Sequence, residues 1–237
     1  MKAKIFSHRQ LIGTTDLQVG DESMGEIFGE FTPTEIYFDK MQKYVWEFWQ
    51  TNKPDCQKWY SLRLNVQLEN GVFLLPQGGY TIGDIKELPN EPKRIDIAGV
   101  DNKILQDFLQ TNPPRPFVEE PWNELQIEQK IAFEDELKKE LGINEKSFLN
   151  IIRKPEKHIL FDSEFSAFCH DQRNDDVLFE IRKPKFEKQF ALVHLTWTNK
   201  KEKEDYPNTT FYSDFDDFKY SRMYADKAVA VALVSTG

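Results

Sequence analysis

The stretch SLRLNVQLENGVFLLP, residues Ser61–Pro76, predicts a sheet-based core. From position 61 to position 68, leucine and valine alternate with polar residues, which is the pattern of a strand with one buried face. The dipeptide Asn70-Gly71 follows, and it tolerates the positive φ angles of a two-residue type I′ turn. With that turn, Leu68 pairs with Phe73, and both strands of the hairpin direct apolar side chains to the same face.

A helix is predicted before this hairpin. Thr32 is the expected N-cap, Pro33 stands at the first helical position, and Glu35 completes a capping box. Apolar residues then recur at steps of three and four as far as Trp49, so the helix should pack an aromatic stripe against the hairpin. Together with the neighbouring strands, residues 1–110 are interpreted as a β-β-α-β-β-β module.

A proline-rich segment follows this module. Residues 111–122 include TNPPRPFVEEP, a density of proline that excludes helix and favours extended geometry. The segment is interpreted as a linker between domains, and a long surface loop inside one domain is the alternative. Residues 123–237 are interpreted as a second module, α-β-β-β-α. The predicted fold class is therefore α+β, with two small modules that each pack an antiparallel sheet against one or two helices.

The second module is defined by alternating strands between two helices. Its first helix is charged, with Glu134 and Lys138 among its predicted four-residue ion pairs. Its predicted elements are the helix Asn123–Leu141, a short helix Phe148–Ile152, strands Ser163–His170, Asp176–Arg182 and Gln189–Thr198, and a last helix from Ser213-Asp214. The tail from Ala228 to Gly237 is left open between a packed strand and a frayed end.

Composition and charge narrow the classes of function. The 237 residues are 39% hydrophobic and 14% aromatic, so most of the chain should fold. The formal net charge is −9, and this argues against binding nucleic acid, which requires clustered lysine and arginine. An acidic surface is compatible with a basic protein partner, and it is also ordinary for a soluble protein.

Several kinds of site and compartment are not predicted. The two cysteines, Cys56 and Cys169, stand far apart without a metal-ligand spacing. They are expected to be free thiols, and one disulfide between them is the alternative. No phosphate-binding loop or nucleophile elbow occurs, so no cofactor is expected. The N-terminus lacks the apolar region of a signal peptide, and the longest apolar run, Ala228–Val234, is too short to cross a membrane. The expected location is the cytoplasm, and export by a route that needs no signal peptide is the alternative.

His194 is the candidate catalytic residue if the protein is an enzyme. It lies within a predicted strand, where a structural histidine is the alternative reading. An acid–base histidine needs a carboxylate to fix its tautomer, and Asp175 and Asp176 at the start of the neighbouring strand are the candidates. Because adjacent strand residues point to opposite faces, at most one of them can serve. His158, His170 and Cys169 fit no metal-ligand pattern.

A cluster of acidic residues near the C-terminus is the candidate partner-binding surface. The alternative is that acids in the first turn of the last helix stabilise its dipole and cap. The cluster consists of Glu204, Asp205, Asp214, Asp216 and Asp217.

Two sets of segments carry a resemblance to known proteins. Asn174–Ile181, Phe190–Trp197, Tyr206–Thr209 and the Phe215–Met223 helix resemble one type of short uncharacterised bacterial protein. Ile12–Asp21 and Trp59–Thr81 are similar to a second such group. The overall form resembles the immunity proteins of bacterial polymorphic toxin systems, and this resemblance implies a small acidic α+β protein that binds and blocks one cognate toxin. It implies no catalytic residue.

Three hypotheses of function follow. The first is a non-enzymatic protein-binding protein, an immunity-type inhibitor of a basic toxin. The second is an enzyme with an acid–base site around His194. The third is a scaffold or assembly module that uses an exposed aromatic face around Trp46 and Trp49.

Overall fold

The predicted α+β fold class is confirmed. The computed structural model describes residues 1–51, 53–143, 157–203 and 206–234, whose helices accompany three antiparallel sheets. The chain divides into two compact units, Met1–Phe117 and Val118–Gly237. The first unit contains two four-stranded sheets where one sheet was predicted, and the second contains one five-stranded sheet.

The two sheets of the first unit have the strand orders β5-β2-β1-β6 and β3-β4-β8-β7. Apolar residues at alternate strand positions fill the interior. Ile95 and Ile97, for example, have no exposed surface. The strands are β1 (Lys2–Ser7), β2 (Gln10–Asp16), β3 (Gln18–Val19), β4 (Ile27–Glu30), β5 (Thr32–Pro33), β6 (Leu64–Leu68), β7 (Gly79–Gly83) and β8 (Arg94–Ala98).

The first helix of this unit begins later than predicted. Thr32 and Pro33 do not cap it; they form β5, paired with Gly13 and Thr14 of β2. β5 is an edge strand, where the missing N–H of Pro33 costs no ladder hydrogen bond. The helical segments are a 3₁₀ turn Glu22–Met24, a π-helical segment Tyr37–Met41 that leads into α1 (Gln42–Trp49), α2 (Cys56–Ser61), α3 (Asn102–Ile104) and a π-helical segment Leu105–Leu109.

The register predicted for the hairpin is wrong by one residue. Gln67, not Leu68, pairs with Phe73, and the N–H of Leu68 donates to the carbonyl of Val72 at 2.9 Å. The loop therefore contains three residues and ends at Gly71, whose φ is 91°. A three-residue loop that closes with a left-handed glycine is the next most common hairpin geometry after the two-residue turn. The main partner of β6 is β1, the N-terminal strand.

The second unit contains one antiparallel sheet of order β13-β12-β11-β10-β9. Its first helix begins at Ile127, because residues Trp122–Glu124 pair with β10 instead of entering the helix. The predicted helix Phe148–Ile152 lies outside the described residues. The elements are β9 (Trp122–Glu124), α4 (Ile127–Glu140), β10 (Glu164–Asp171), β11 (Asp176–Arg182), β12 (Phe190–His194), β13 (Thr209–Tyr212), α5 (Phe215–Phe218), a π-helical segment Lys219–Met223 and α6 (Tyr224–Val234).

Helices cover both faces of this five-stranded sheet. Val177 of β11 lies on the α4 face, where it lines a pocket with Phe133. The preceding residue, Asp176, points to the other face and contacts Arg222, between α5 and α6. The tail that the sequence left open is helical through Val234.

The proline-rich segment has two different halves. Asn112–Pro116 is exposed, as a linker would be. Phe117, Val118 and Trp122 are buried, with 2%, 6% and 1% of their surface accessible. The second half is therefore anchored by apolar side chains.

Candidate functional site

The predicted catalytic residues meet at one end of the five-stranded sheet. The turn between β10 and β11 carries Asp175, and β11 begins with Asp176. Antiparallel pairing of β11 with β12 places Asp176 directly opposite His194. Because side chains alternate along a strand, Asp175 and Asp176 point to opposite faces of the sheet.

His194 and Asp176 form a dyad on the α5–α6 face. Nδ1 of His194 lies 2.9 Å from Oδ1 of Asp176, and half of the imidazole side chain is exposed. Oδ2 of Asp176 lies 3.4 Å from Nη2 of Arg222, whose Nε lies 2.9 Å from Asp226. The carboxylate therefore orients the imidazole, as an acid–base site requires.

Asp175 lies on the α4 face, beside a pocket of about 340 Å³. It accepts a hydrogen bond from Nε1 of Trp197 at 2.9 Å and does not reach His194. Phe133 of α4 also lines the pocket, and its ring centroid lies 5.8 Å from that of Trp197 and 5.5 Å from that of His170. This wall of rings with a carboxylate at its edge was not recognised in the sequence, because its members are far apart along the chain.

The other charged groups of this pocket are paired or neutral. Asp171 is fully buried and binds Arg173, with Nη2 of the guanidinium 2.6 Å from Oδ2. Burial alone would raise the pKa of Asp171, but the hydrogen bonds from Arg173 lower it. Burial lowers the pKa of His170, against the opposing charges of Asp171 and Glu124. His170 is therefore neutral at pH 7.

Two buried glutamates of α4 hold the chain that follows β12. Oε1 of Glu140 accepts hydrogen bonds from Thr196 N at 2.7 Å, Thr196 Oγ1 at 3.0 Å and Trp197 N at 3.0 Å. Glu136 accepts one from the N–H of Asn199 at 2.9 Å. Both carboxylates are 1% exposed, and burial, assisted by the charge of Glu136, raises the pKa of Glu140. They fix Trp197 and Asn199 at φ angles of 56° and 58°.

The acidic residues predicted as a partner surface have local roles where they are described. Oδ1 of Asp214 caps α5 by accepting from the N–H of Asp217 at 2.9 Å, and Oδ2 of Asp217 accepts from Ser213 N at 2.8 Å. Asp216 forms an ion pair with Lys219 at 2.7 Å. Asp214 and Asp217 therefore cap α5, and Asp216 lies in its first turn, where an acid stabilises the helix dipole. The remaining members of the cluster, Glu204 and Asp205, lie outside the described residues.

The C-terminal helix presents an apolar surface that the sequence analysis did not assign to a face. Tyr220 and Tyr224 have 74% and 37% of their surface exposed, and their ring centroids lie 5.4 Å apart. Val231, two turns beyond Tyr224, is 60% exposed. At 3.6 residues per turn Tyr224, Ala228 and Val231 of α6 lie on one side. Tyr220, in the preceding π-helical segment, joins them through its ring contact with Tyr224, and the four residues are called the tyrosine–valine face. The opposite face is anchored by Asp226, which accepts from Nε1 of Trp122 at 3.0 Å.

The tryptophans proposed for an assembly surface are tied to the first unit. Trp49 is 48% exposed, and its Nε1 donates to the carbonyl of Ile82 at 2.7 Å. Nε1 of Trp46 donates to the buried Asp84 at 3.2 Å. Burial alone would raise the pKa of Asp84, but hydrogen bonds from neighbouring side chains lower it. These donors are Gln42, Tyr37 and Trp46, and Lys93 adds its charge.

Comparisons with known proteins add no relative. No family model matches the chain, and no curated protein or solved structure is significantly similar to it. Within the described ranges, no helix combines the length and apolar character needed to cross a membrane. In the same part of the chain, no group of three or more histidine, cysteine, aspartate or glutamate side chains is arranged to hold a metal ion.

Proposed function

We propose that the protein is a non-enzymatic protein-binding protein that neutralises a cognate bacterial toxin, in the manner of immunity-type inhibitors. The observation that carries this proposal is the tyrosine–valine face of the Lys219–Met223 segment and α6. A helix that is apolar on its outer side normally buries that side, and contiguous exposed apolar patches mark interaction surfaces. Tyrosine is also enriched at the centre of protein interfaces.

The charge of the protein supports a basic partner. The formal net charge is −9, which attracts a basic protein over several ångströms and accelerates association. The resemblance to toxin-system immunity proteins agrees with this chemistry. The acids around Asp214 are engaged in the helix cap, so the partner surface proposed here is apolar and the charge acts as a long-range attraction.

Co-expression tests this function. The chain is expressed in bacteria together with each candidate toxin encoded beside its gene, and growth is measured. We expect one toxin to be neutralised and to bind the protein at a one-to-one ratio. The double variant Tyr220→Gln/Val231→Gln is expected to weaken binding at least tenfold, as the removal of central interface residues does.

Ile159→Gln is the matched control, because Ile159 is an exposed aliphatic residue of the same unit, 44% accessible, outside the tyrosine–valine face. All variants should unfold within about 0.5 kcal/mol of the parent, since each replaced side chain is exposed. The proposal fails if none of the neighbouring toxins is neutralised. Equal loss of binding in the control and the double variant would reject the tyrosine–valine face as the contact surface.

The dyad of His194 and Asp176 favours a second candidate function, an acid–base enzyme. Its support is the 2.9 Å contact and the half-exposed imidazole. A hydrolase substrate panel assayed between pH 5 and pH 9 should then show one activity that His194→Gln abolishes. An activity that survives this replacement would remove the dyad from consideration.

A further inference from the structure

The pocket beside Asp175 combines aromatic rings with a carboxylate that is only partly used. Oδ1 of Asp175 accepts from the indole of Trp197. In the part of the chain that the structure describes, no residue forms a hydrogen bond with Oδ2, and the side chain is exposed. Phe133 lines the pocket. The ring of Trp197, 39% accessible, lies beside the pocket, because it packs against Phe133 with the ring centroids 5.8 Å apart.

The electrostatics of the pocket favour a cation. Arg173 is the nearest cationic side chain on the β10–β11 turn, and its charge is balanced by Asp171 at 2.6 Å and Asp226 at 3.6 Å. His170 is neutral, because burial lowers its pKa. Of the two carboxylates that line the pocket among the described residues, Asp171 is paired with Arg173, and Asp175 has no cationic partner.

The position of Trp197 is imposed on it by its neighbours. Its φ of 56° lies in the left-handed region, which a bulky residue rarely adopts. Three contacts maintain this conformation: its N–H donates to buried Glu140, its indole donates to Asp175, and its ring packs on Phe133. Strained conformations persist where the surrounding structure over-determines them, and they cluster at ligand sites.

We infer that this pocket binds the guanidinium group of an arginine side chain from a protein partner. The planar group would stack on the exposed ring of Trp197, contact the edge of Phe133 and donate to Oδ2 of Asp175. A guanidinium is preferred to an ammonium, since it is flat, weakly hydrated and able to stack and donate at the same time. The assignment of this arginine to a protein partner rests on the proposed function. The binding of a guanidinium group by the pocket does not depend on that function.

The test uses the full-length protein and two blocked tripeptides, acetyl-Gly-Arg-Gly-amide and its citrulline analogue. Citrulline has nearly the shape of arginine but carries no charge. Binding is followed by the NMR signal of the Trp197 indole N–H, which is identified by its loss in Trp197→Phe. We expect a saturable shift with the arginine peptide at constant ionic strength and at least a fivefold weaker response to the citrulline peptide.

Variants then test whether the negative charge of Asp175 is needed for binding. Asp175→Asn keeps an oxygen that can accept from the indole of Trp197, and it should weaken arginine binding at least fivefold. Asp162→Asn removes an exposed charge of the same unit, 68% accessible at its side chain and outside the pocket, and should leave binding unchanged. The wild-type comparison of the two peptides remains decisive even if Asp175→Asn folds poorly.

Two outcomes overturn the inference: no shift of the Trp197 signal, or equal shifts with both peptides. Toxin neutralisation tests the proposed function independently of peptide binding. If the wild-type chain neutralises a toxin and Asp175→Asn neutralises it equally well, the inhibitor function stands and this pocket is not its arginine site. If the arginine peptide binds and no toxin is neutralised, the pocket stands without the inhibitor function.

Discussion

Replacing Glu140 by glutamine is expected to stabilise the protein at neutral pH, although this side chain accepts three hydrogen bonds. All three reach the same oxygen, Oε1. Among the residues that the structure describes, Oε2 has no hydrogen-bond partner and is buried. A glutamine carbonyl can accept the same three bonds, while the buried negative charge disappears.

The magnitude follows from the contacts. A buried polar atom without a hydrogen-bond partner costs about 1–3 kcal/mol, and more if its group is charged. The amide removes the charge at the Oε2 position but adds a donor there that must itself be satisfied. We therefore expect Glu140→Gln to raise the free energy of unfolding by about 1 kcal/mol at pH 8. Glu140→Ala leaves Thr196 and Trp197 without their acceptor and opens a cavity, so it should lower that free energy by about 3–5 kcal/mol.

The pH dependence has a defined sign. Burial raises the pKa of Glu140 above its ordinary value of 4.5. An acid whose pKa is raised by folding contributes stability below its unfolded pKa, and this contribution is lost as the pH rises through the folded pKa. The advantage of Glu140→Gln over the parent should therefore grow from about pH 4.5 upward and become constant above the raised pKa.

The assay is urea unfolding of the parent and the two variants between pH 5 and pH 8, followed by circular dichroism. Glu128→Gln is the control, because Glu128 is exposed on the same helix and should change the free energy of unfolding by no more than about 0.5 kcal/mol. If Glu140→Gln proved as damaging as Glu140→Ala at pH 8, the ionised carboxylate would be a net stabiliser and the reasoning would be refuted. An advantage independent of pH would also refute it.

Two further predictions concern the first unit. Asp84→Ala leaves the hydroxyl of Tyr37 and the indole of Trp46 without an acceptor, so it should lower the free energy of unfolding by about 3 kcal/mol. Because folding lowers the pKa of Asp84, the stabilisation by this carboxylate should disappear as the pH falls through the folded pKa. A difference between Asp84→Ala and the parent that stays unchanged at low pH would contradict this. Gly29→Ala places a Cβ 2.3 Å from Oγ1 of Thr15, so it should lower the free energy of unfolding, measured by thermal unfolding, by about 1–3 kcal/mol. An unchanged free energy of unfolding would show that β2 and β4 move apart easily at this contact.

The sequence by itself determined the elements whose pattern is local. Alternation predicted β10 and β11, and the acidic cap predicted the start of α5, because neighbouring residues decide strand periodicity and helix capping. These features require no knowledge of what packs against them.

Only the tertiary structure decided the features that depend on distant partners. Thr32 and Pro33 joined a strand because β2 offered an open edge, and this overrode a good capping sequence. Glu136 and Glu140 belong to a helix that the sequence predicts as charged surface, and they are buried because the chain around Trp197 folds over them. Phe133 and Asp175 line one pocket with Trp197 beside it for the same reason: tertiary packing brings together residues that no local pattern connects.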